Sequence, residues 1–166
     1  MKEVKEVCIV GTSMQVGVGI AMLQGARYEH AEALISAGKE LGIMIKVVEL
    51  RTSSDIDNAI SDDLLDAIVL PGGESTTMRI ASDAYGLLMR IYNLLSENKG
   101  FPVLGTCAGA ILLSNPQGDF KPFVDAQIDR NSYGRQKDSF QAILNVENIS
   151  TPDIIYDIND KNNIGN

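Results

Sequence analysis

Phe101-Pro102-Val103-Leu104-Gly105-Thr106-Cys107-Ala108-Gly109-Ala110-Ile111-Leu112-Leu113 reads as a short buried strand, a sharp turn and an apolar helix, with a cysteine at the turn. The pattern Gly-x-Cys-x-Gly is the thiol version of a nucleophile elbow. A nucleophile perched on a tight strand-to-helix turn has a strained backbone. Side chains two residues to either side would collide, and Gly105 and Gly109 remove them. Ala108 is small, and its N–H lies in the first helical turn, where backbone donors have no intrahelical partner. That end of a helix favours negative charge, which suits a thiolate and a developing oxyanion. The competing reading is a small buried Cys beside glycines needed only for packing. The intact elbow spacing favours the nucleophile.

Upstream of the elbow, strands and helices alternate. Val16 to Leu23 is a near-continuous apolar run, as expected for a strand covered on both faces, and it ends in the turn Gln24-Gly25. A helix follows with Ala33, Leu34, Ala37 and Leu41 on one face, stopping at Gly42. Ile43 to Leu50 is the second strand. Ser54 or Asp55 can cap a short helix carrying Ile56, Ala59 and Ile60. Leu65 to Leu70 is the third strand and runs into Pro71-Gly72-Gly73-Glu74-Ser75-Thr76-Thr77. Two helical pieces come next. The second, Gly86 to Glu97, carries Leu87, Leu88, Ile91, Leu94 and Leu95 at helical spacing, with Asp83 as a candidate cap. Four such alternations predict a parallel sheet with helices on both faces, in which the elbow strand is central and Cys107 has a positive φ. Ligands in such sheets sit at the carboxyl ends of the strands, and Gln24, Gly73 and Cys107 all fall there.

Downstream the pattern changes. Asn115-Pro116-Gln117-Gly118 is a turn, Val124 to Ile128 reads as a strand, and Arg130 to Gln136 is a polar loop. Phe140 to Leu144 and Ile154 to Ile158 read as short strands. At the other end, Val7 to Val10 reads equally as an edge strand, a tag or an upstream misreading, with Met14 as the natural start and Cys8 a passive apolar residue.

The 166 residues suit one domain with a real core, and a net charge of −8 argues against a general nucleic-acid or anionic-membrane binder. No apolar run approaches the roughly 20 residues of a membrane span, and the N-terminus lacks a signal-peptide design. Two cysteines, Cys8 and Cys107, make no disulfide framework, so a reducing cytoplasm is the expected compartment. With one His in the chain, a zinc site is a poor reading.

Four stretches together resemble one family. They are Leu23-Gln24-Gly25 with Glu29-His30, Leu70-Pro71-Gly72-Gly73-Glu74-Ser75-Thr76-Thr77, Gly105-Thr106-Cys107-Ala108-Gly109, and Arg130-Asn131-x-x-Gly134-Arg135-Gln136-x-x-Ser139-Phe140. The likeness, from about Met14 to about Leu144, is to the class I glutamine amidotransferases, specifically the glutaminase subunits of pyridoxal 5′-phosphate synthase. It implies a flavodoxin-like three-layer α/β/α domain over 14–144. It also implies that Cys107 attacks the side-chain amide of L-glutamine, releasing ammonia and then glutamate. Backbone N–H groups of Gly73 and Ala108 would form the oxyanion hole, which only a glycine-rich loop approaches closely enough. Gly73, Glu74 and Ser75 would bind the substrate, with Arg130 supplying positive charge and Gln24 aligning the site. The implied partner is a (β/α)₈-barrel synthase subunit that takes the ammonia into vitamin B6 biosynthesis. No metal or organic cofactor is implied.

Each carried-over residue has a plainer alternative. Glu74 could merely cap the following helix, although Gly-Gly before it favours substrate binding. Arg135 reads as a loop charge, and His30 as a helix or interface residue rather than a base. One departure stands out. The family closes with a His-x-Glu pair that moves the thiol proton, and this sequence has no His after His30. Residues 145–166 therefore read as a divergent or truncated tail, and 1–13 as an extension of uncertain status. Three readings follow: a glutaminase subunit by descent, a catalytically impaired module that still docks on the synthase, or a different Cys-elbow hydrolase with another base.

Overall fold

The computed structural model describes residues 14–128. In order they form β1 (Gln15–Ala21), α1 (Arg27–Leu41), β2 (Met44–Leu50), α2 (Ser53–Ser61), β3 (Ala67–Leu70), α3 (Ser75–Asp83), α4 (Leu87–Glu97), β4 (Val103–Gly105) and α5 (Ala108–Ser114). The four strands make one wholly parallel sheet in the order β2-β1-β3-β4. Val18 lies between Val47 and Ala67, and Leu70 sits beside Gly105. The chain runs from β1 outward to β2, then crosses back past β1 to β3 and β4. The sheet thus reverses direction between β1 and β3, the point at which a flavodoxin-like sheet opens a crevice at its carboxyl edge.

Alternation along β3 divides the core. Val69 joins Val18 and Ile20 on the face covered by α1. Ile68 and Leu70 point the other way, into a larger cluster with side chains of α2, α3, α4 and α5. That is the α/β/α layering the alternating pattern predicts. The larger cluster is led by α4, whose Leu87, Leu88, Ile91, Leu94 and Leu95 are all buried. Each such side chain contributes about 1.5–3 kcal/mol on full burial. Tyr92, also buried, stacks with Phe123 and tilts against Phe120 at ring separations of 5.4 Å.

Several local expectations shift. Helix α1 does end at Gly42, which is left-handed at φ 67°. Its inward face, however, is Ala31, Leu34 and Gly38, whereas Ala33, Ala37 and Leu41 are exposed. A count of large apolar residues overlooks Gly38, where a Cβ would press on Ile45 Cγ1 at 2.5 Å. The cap of α2 is Thr52, not Ser54 or Asp55. Asp55 instead closes a capping box by accepting the Thr52 N–H at 2.8 Å. Asp83 does not cap α4. Gly86 does so in a left-handed conformation, and the buried Ser82 hydroxyl accepts the Leu88 N–H at 2.7 Å.

The segment Val124 to Ile128 is not a strand. The chain just before it is held by the Phe123 N–H to Leu113 O bond and by the aromatic cluster on Tyr92, not by a sheet ladder. Among the described residues β4 is an edge strand, as β2 is at the other side, rather than a central one. Residues 1–13, the strands expected at 140–144 and 154–158, and Arg130 with its loop lie outside the described residues.

Candidate active site

Cys107 is exposed, with φ 50° and ψ −110°, between the end of β4 and the first residue of α5. This is the strained elbow geometry that the paired glycines imply. A Cβ on Gly105 would stand 2.7 Å from the Gly109 carbonyl group, and one on Gly109 would overlap the Leu70 carbonyl oxygen. The turn is pinned on both sides of its preceding residue. Thr106 N–H donates to Leu70 O at 3.1 Å, and Thr106 O accepts the Gly109 N–H at 2.9 Å. Ala108, the first residue of α5, has its N–H ahead of the helical ladder.

The loop after β3 faces the elbow. A Cβ on Gly72 would meet Cys107 Cβ at 3.4 Å, which is ordinary contact distance. Gly73 has φ 147°, a conformation that L side chains rarely adopt, and a Cβ there would come within 3.0 Å of Gln24 Oε1. That same Gln24 oxygen accepts the Glu74 N–H at 2.9 Å. Gly25, at φ 78°, packs so tightly on the Gly72 carbonyl that a Cβ has no room. The turn after β1 and the glycine loop after β3 thus form one unit across the reversal point of the sheet.

Glu74 takes up the cap that the plainer reading assigned to it. Its carboxylate accepts the N–H groups of Thr76 at 3.0 Å and Thr77 at 2.7 Å, and the Thr77 hydroxyl at 2.9 Å. The backbone donors of Thr76 and then Thr77 hold its pKa down to about 2. Ser75, the first residue of α3, is buried. Gln24, Gly73, Glu74, Cys107 and Ala108 therefore gather at one end of the sheet, as their positions after β1, β3 and β4 predict.

One residue was read differently from its sequence position. His30 reaches from the first turn of α1 to the residue before the nucleophile, with Nε2 and Thr106 Oγ1 2.9 Å apart. Its spacing from Gln24-Gly25, one helical turn after a turn bound for the same crevice, is the signal that could have placed it. Among the described residues no three His, Cys, Asp or Glu side chains are grouped to hold a metal ion. None of their helices is long and apolar enough to cross a membrane.

Comparison with known proteins follows the same geometry. The model of the SNO glutamine amidotransferase family matches residues 20–158. A protein of Ignicoccus hospitalis named pyridoxal 5′-phosphate synthase subunit PdxT is 41% identical over 143 residues, covering 81% of this chain and 68% of its own. The proteins of that name from Sulfolobus acidocaldarius and Listeria monocytogenes are 40% and 42% identical. They cover 76% and 81% of this chain and 64% and 66% of their own lengths. The chain thus spans about two thirds of the curated relatives it matches. A crystal structure titled as a glutamine amidotransferase superposes with a TM-score of 0.52 at 35% identity, covering 74% of this chain and 61% of that one.

Proposed function

The chain belongs to the SNO glutamine amidotransferase family, and from that premise we propose that it is the glutaminase subunit of a pyridoxal 5′-phosphate synthase, releasing ammonia from L-glutamine. The observation that carries the reading is that Cys107, in its strained elbow, lies directly beside Gly72, the residue before the proposed oxyanion donor Gly73. In this reading the Cys107 sulfur adds to the side-chain amide carbon. The oxygen that becomes negative is held by the N–H groups of Gly73 and Ala108. Collapse expels ammonia and leaves a thioester, which water then hydrolyses to glutamate and the free thiol.

Glu74 and Ser75, at the head of α3, receive the α-amino and α-carboxylate ends of the substrate, and Arg130 adds positive charge. Gln24 aligns the site through its bond to Glu74. The thiol proton and the leaving ammonia require an acid–base group. In the family resembled, that role belongs to a C-terminal His-x-Glu pair; this sequence carries no His after His30, so within these residues the thiol gives its proton to water and the leaving ammonia takes one from water. The ammonia passes to a synthase subunit, for which a (β/α)₈ barrel is the expected form, and a reducing cytoplasm suits the exposed thiol. The alternative of a catalytically impaired binding module draws no support from the comparisons. The relatives share one name, that of the synthase subunit.

The test is ammonia release from L-glutamine by the full gene product with its synthase partner, beside Cys107→Ala. Loss of release in the variant is expected. An electrophilic glutamine analogue should also label Cys107 and be displaced by L-glutamine. Labelling that L-glutamine does not slow would overturn the substrate assignment.

A further inference from the structure

Beyond the residues already given roles, the geometry points to His30 as a positioning residue for the nucleophile, acting through Thr106. This inference rests on Cys107 being the nucleophile of the proposed reaction. Cys107 occupies a backbone conformation, φ 50° and ψ −110°, that a non-glycine residue holds only when its surroundings over-determine it. Those surroundings include Gly72 beside it, the Ile111 N–H on its carbonyl oxygen, and its two neighbours in sequence. Ala108 is buried in the core and locked into α5. Thr106 is the other, and all three of its polar groups are engaged.

Its N–H is held by Leu70 at the end of β3, and its carbonyl oxygen by Gly109 in the first turn of α5. Its hydroxyl is held by His30, 76 residues away on α1. The first ties the elbow to the neighbouring strand β3, and the second closes the turn on itself. The third ties the elbow to a different layer of the fold. The link also completes a set of three between the loop clusters at this end of the sheet: Gln24 to Glu74, Gly25 against Gly72, and His30 to Thr106. Together they fix the β1–α1 turn to the loop that carries Gly73 and to the turn that carries Cys107. Without His30, the Thr106 side chain loses its tie to α1, and the strained turn that presents Cys107 loses one of its restraints.

His30 does not touch the sulfur among the bonds observed, so its effect should fall on the step that needs exact aim. The experiment compares His30→Leu and Thr106→Val, which break the link, with His30→Gln and Thr106→Ser, which keep a partner on each side. All are assayed in the full gene product with its synthase partner, together with the double variant His30→Leu/Thr106→Val. The expected result is a fall in kcat of about 10–100-fold for each breaking variant, with KM within about twofold. The double variant should be no worse than the poorer single one, and Thr106→Ser should recover most of the loss.

The rate at which a small haloacetamide alkylates Cys107 is read in parallel on the same proteins. It reports thiol presentation without glutamine and should fall in the same order. Wild-type kcat and wild-type alkylation in folded His30→Leu would overturn the positioning role, as would fully multiplicative losses in the double variant. Failure of the glutaminase reading looks different. The wild-type protein would then release no ammonia, or would release it equally in Cys107→Ala, while the alkylation series would still decide whether His30 presents the thiol.

Discussion

The side-chain oxygen of Gln24 accepts the backbone N–H of Glu74 at 2.9 Å, joining two loops fifty residues apart at the point where the sheet reverses direction. The bond lies beside Gly73, whose N–H is a proposed oxyanion donor, so it restrains the loop at the residue next to the one that matters. It is exposed, and water can replace it. Gln24→Leu should therefore cost about 1 kcal/mol or less of stability, yet lower kcat for glutamine hydrolysis by roughly 10-fold or more, because a misaimed oxyanion donor loses most of its effect. Ammonia-release kinetics beside urea denaturation read both quantities. A wild-type kcat would show that the loop holds its shape without Gln24.

Two glycines should respond to the same substitution for different reasons. Gly109→Ala drives a methyl group into the Leu70 carbonyl, backbone that cannot move without displacing β3. A loss of about 2–3 kcal/mol or more is expected. Gly42→Ala meets nothing within 4 Å and suffers only its φ of 67°, so about 1 kcal/mol is expected. Urea midpoints should rank the two variants in that order, and equal midpoints would contradict the close packing of the elbow on β3.

The parts of this fold legible in the sequence were those written in periodicity and in paired glycines. The alternation of apolar runs with turn signals located all four strands and the crevice; β1 and β3, buried along most of their length, leave the long apolar stretches that sheet interiors demand. Gly105 and Gly109 located Cys107 because only steric exclusion explains glycine at both places. What was not legible depended on partners distant in sequence. The inward face of α1 turns on Gly38 meeting Ile45, which no apolar count detects. The engagement of His30 depends on Thr106 arriving from 76 residues away. Val124 reads as strand by composition, yet aromatic packing around Tyr92 holds that region without a ladder.

Ser82 tests a polar feature of the core that sequence reasoning assigned to Asp83. Its hydroxyl is buried and accepts the Leu88 N–H at the start of α4. Ser82→Ala leaves that amide without a partner in a closed environment, which costs about 1–3 kcal/mol. Asp83→Ala should change stability by less than about 0.5 kcal/mol, as a surface substitution away from any cap. Thermal melts of the two variants decide between the assignments, and a larger effect at Asp83 would reverse them.

Glu74 carries a pH dependence whose sign follows from its cap. The folded carboxyl is depressed from an ordinary 4.5 to about 2, first by the Thr76 N–H, then by the Thr77 N–H and hydroxyl. A depressed carboxylate contributes stability that is complete above its unfolded pKa and disappears as pH falls through the folded one. The contribution should therefore be present at pH 5 and above, decline below about 4.5, and be gone near pH 2. Because the group is exposed, the effect should be concentrated in the first turn of α3. Carbon-detected titration of the Glu74 carboxyl should show a midpoint near 2, accompanied by faster amide exchange at Thr76 and Thr77 over the same range. Glu74→Gln should abolish that change in exchange. The consequence for catalysis is specific. If Glu74 binds the substrate ammonium, it does so fully charged throughout pH 5–8, so it cannot be the source of any activity loss in that window. An acid limb in kcat/KM near pH 6 that disappears in Glu74→Gln, or a Glu74 midpoint at 4.5, would show that the carboxylate is not held by the helix it caps.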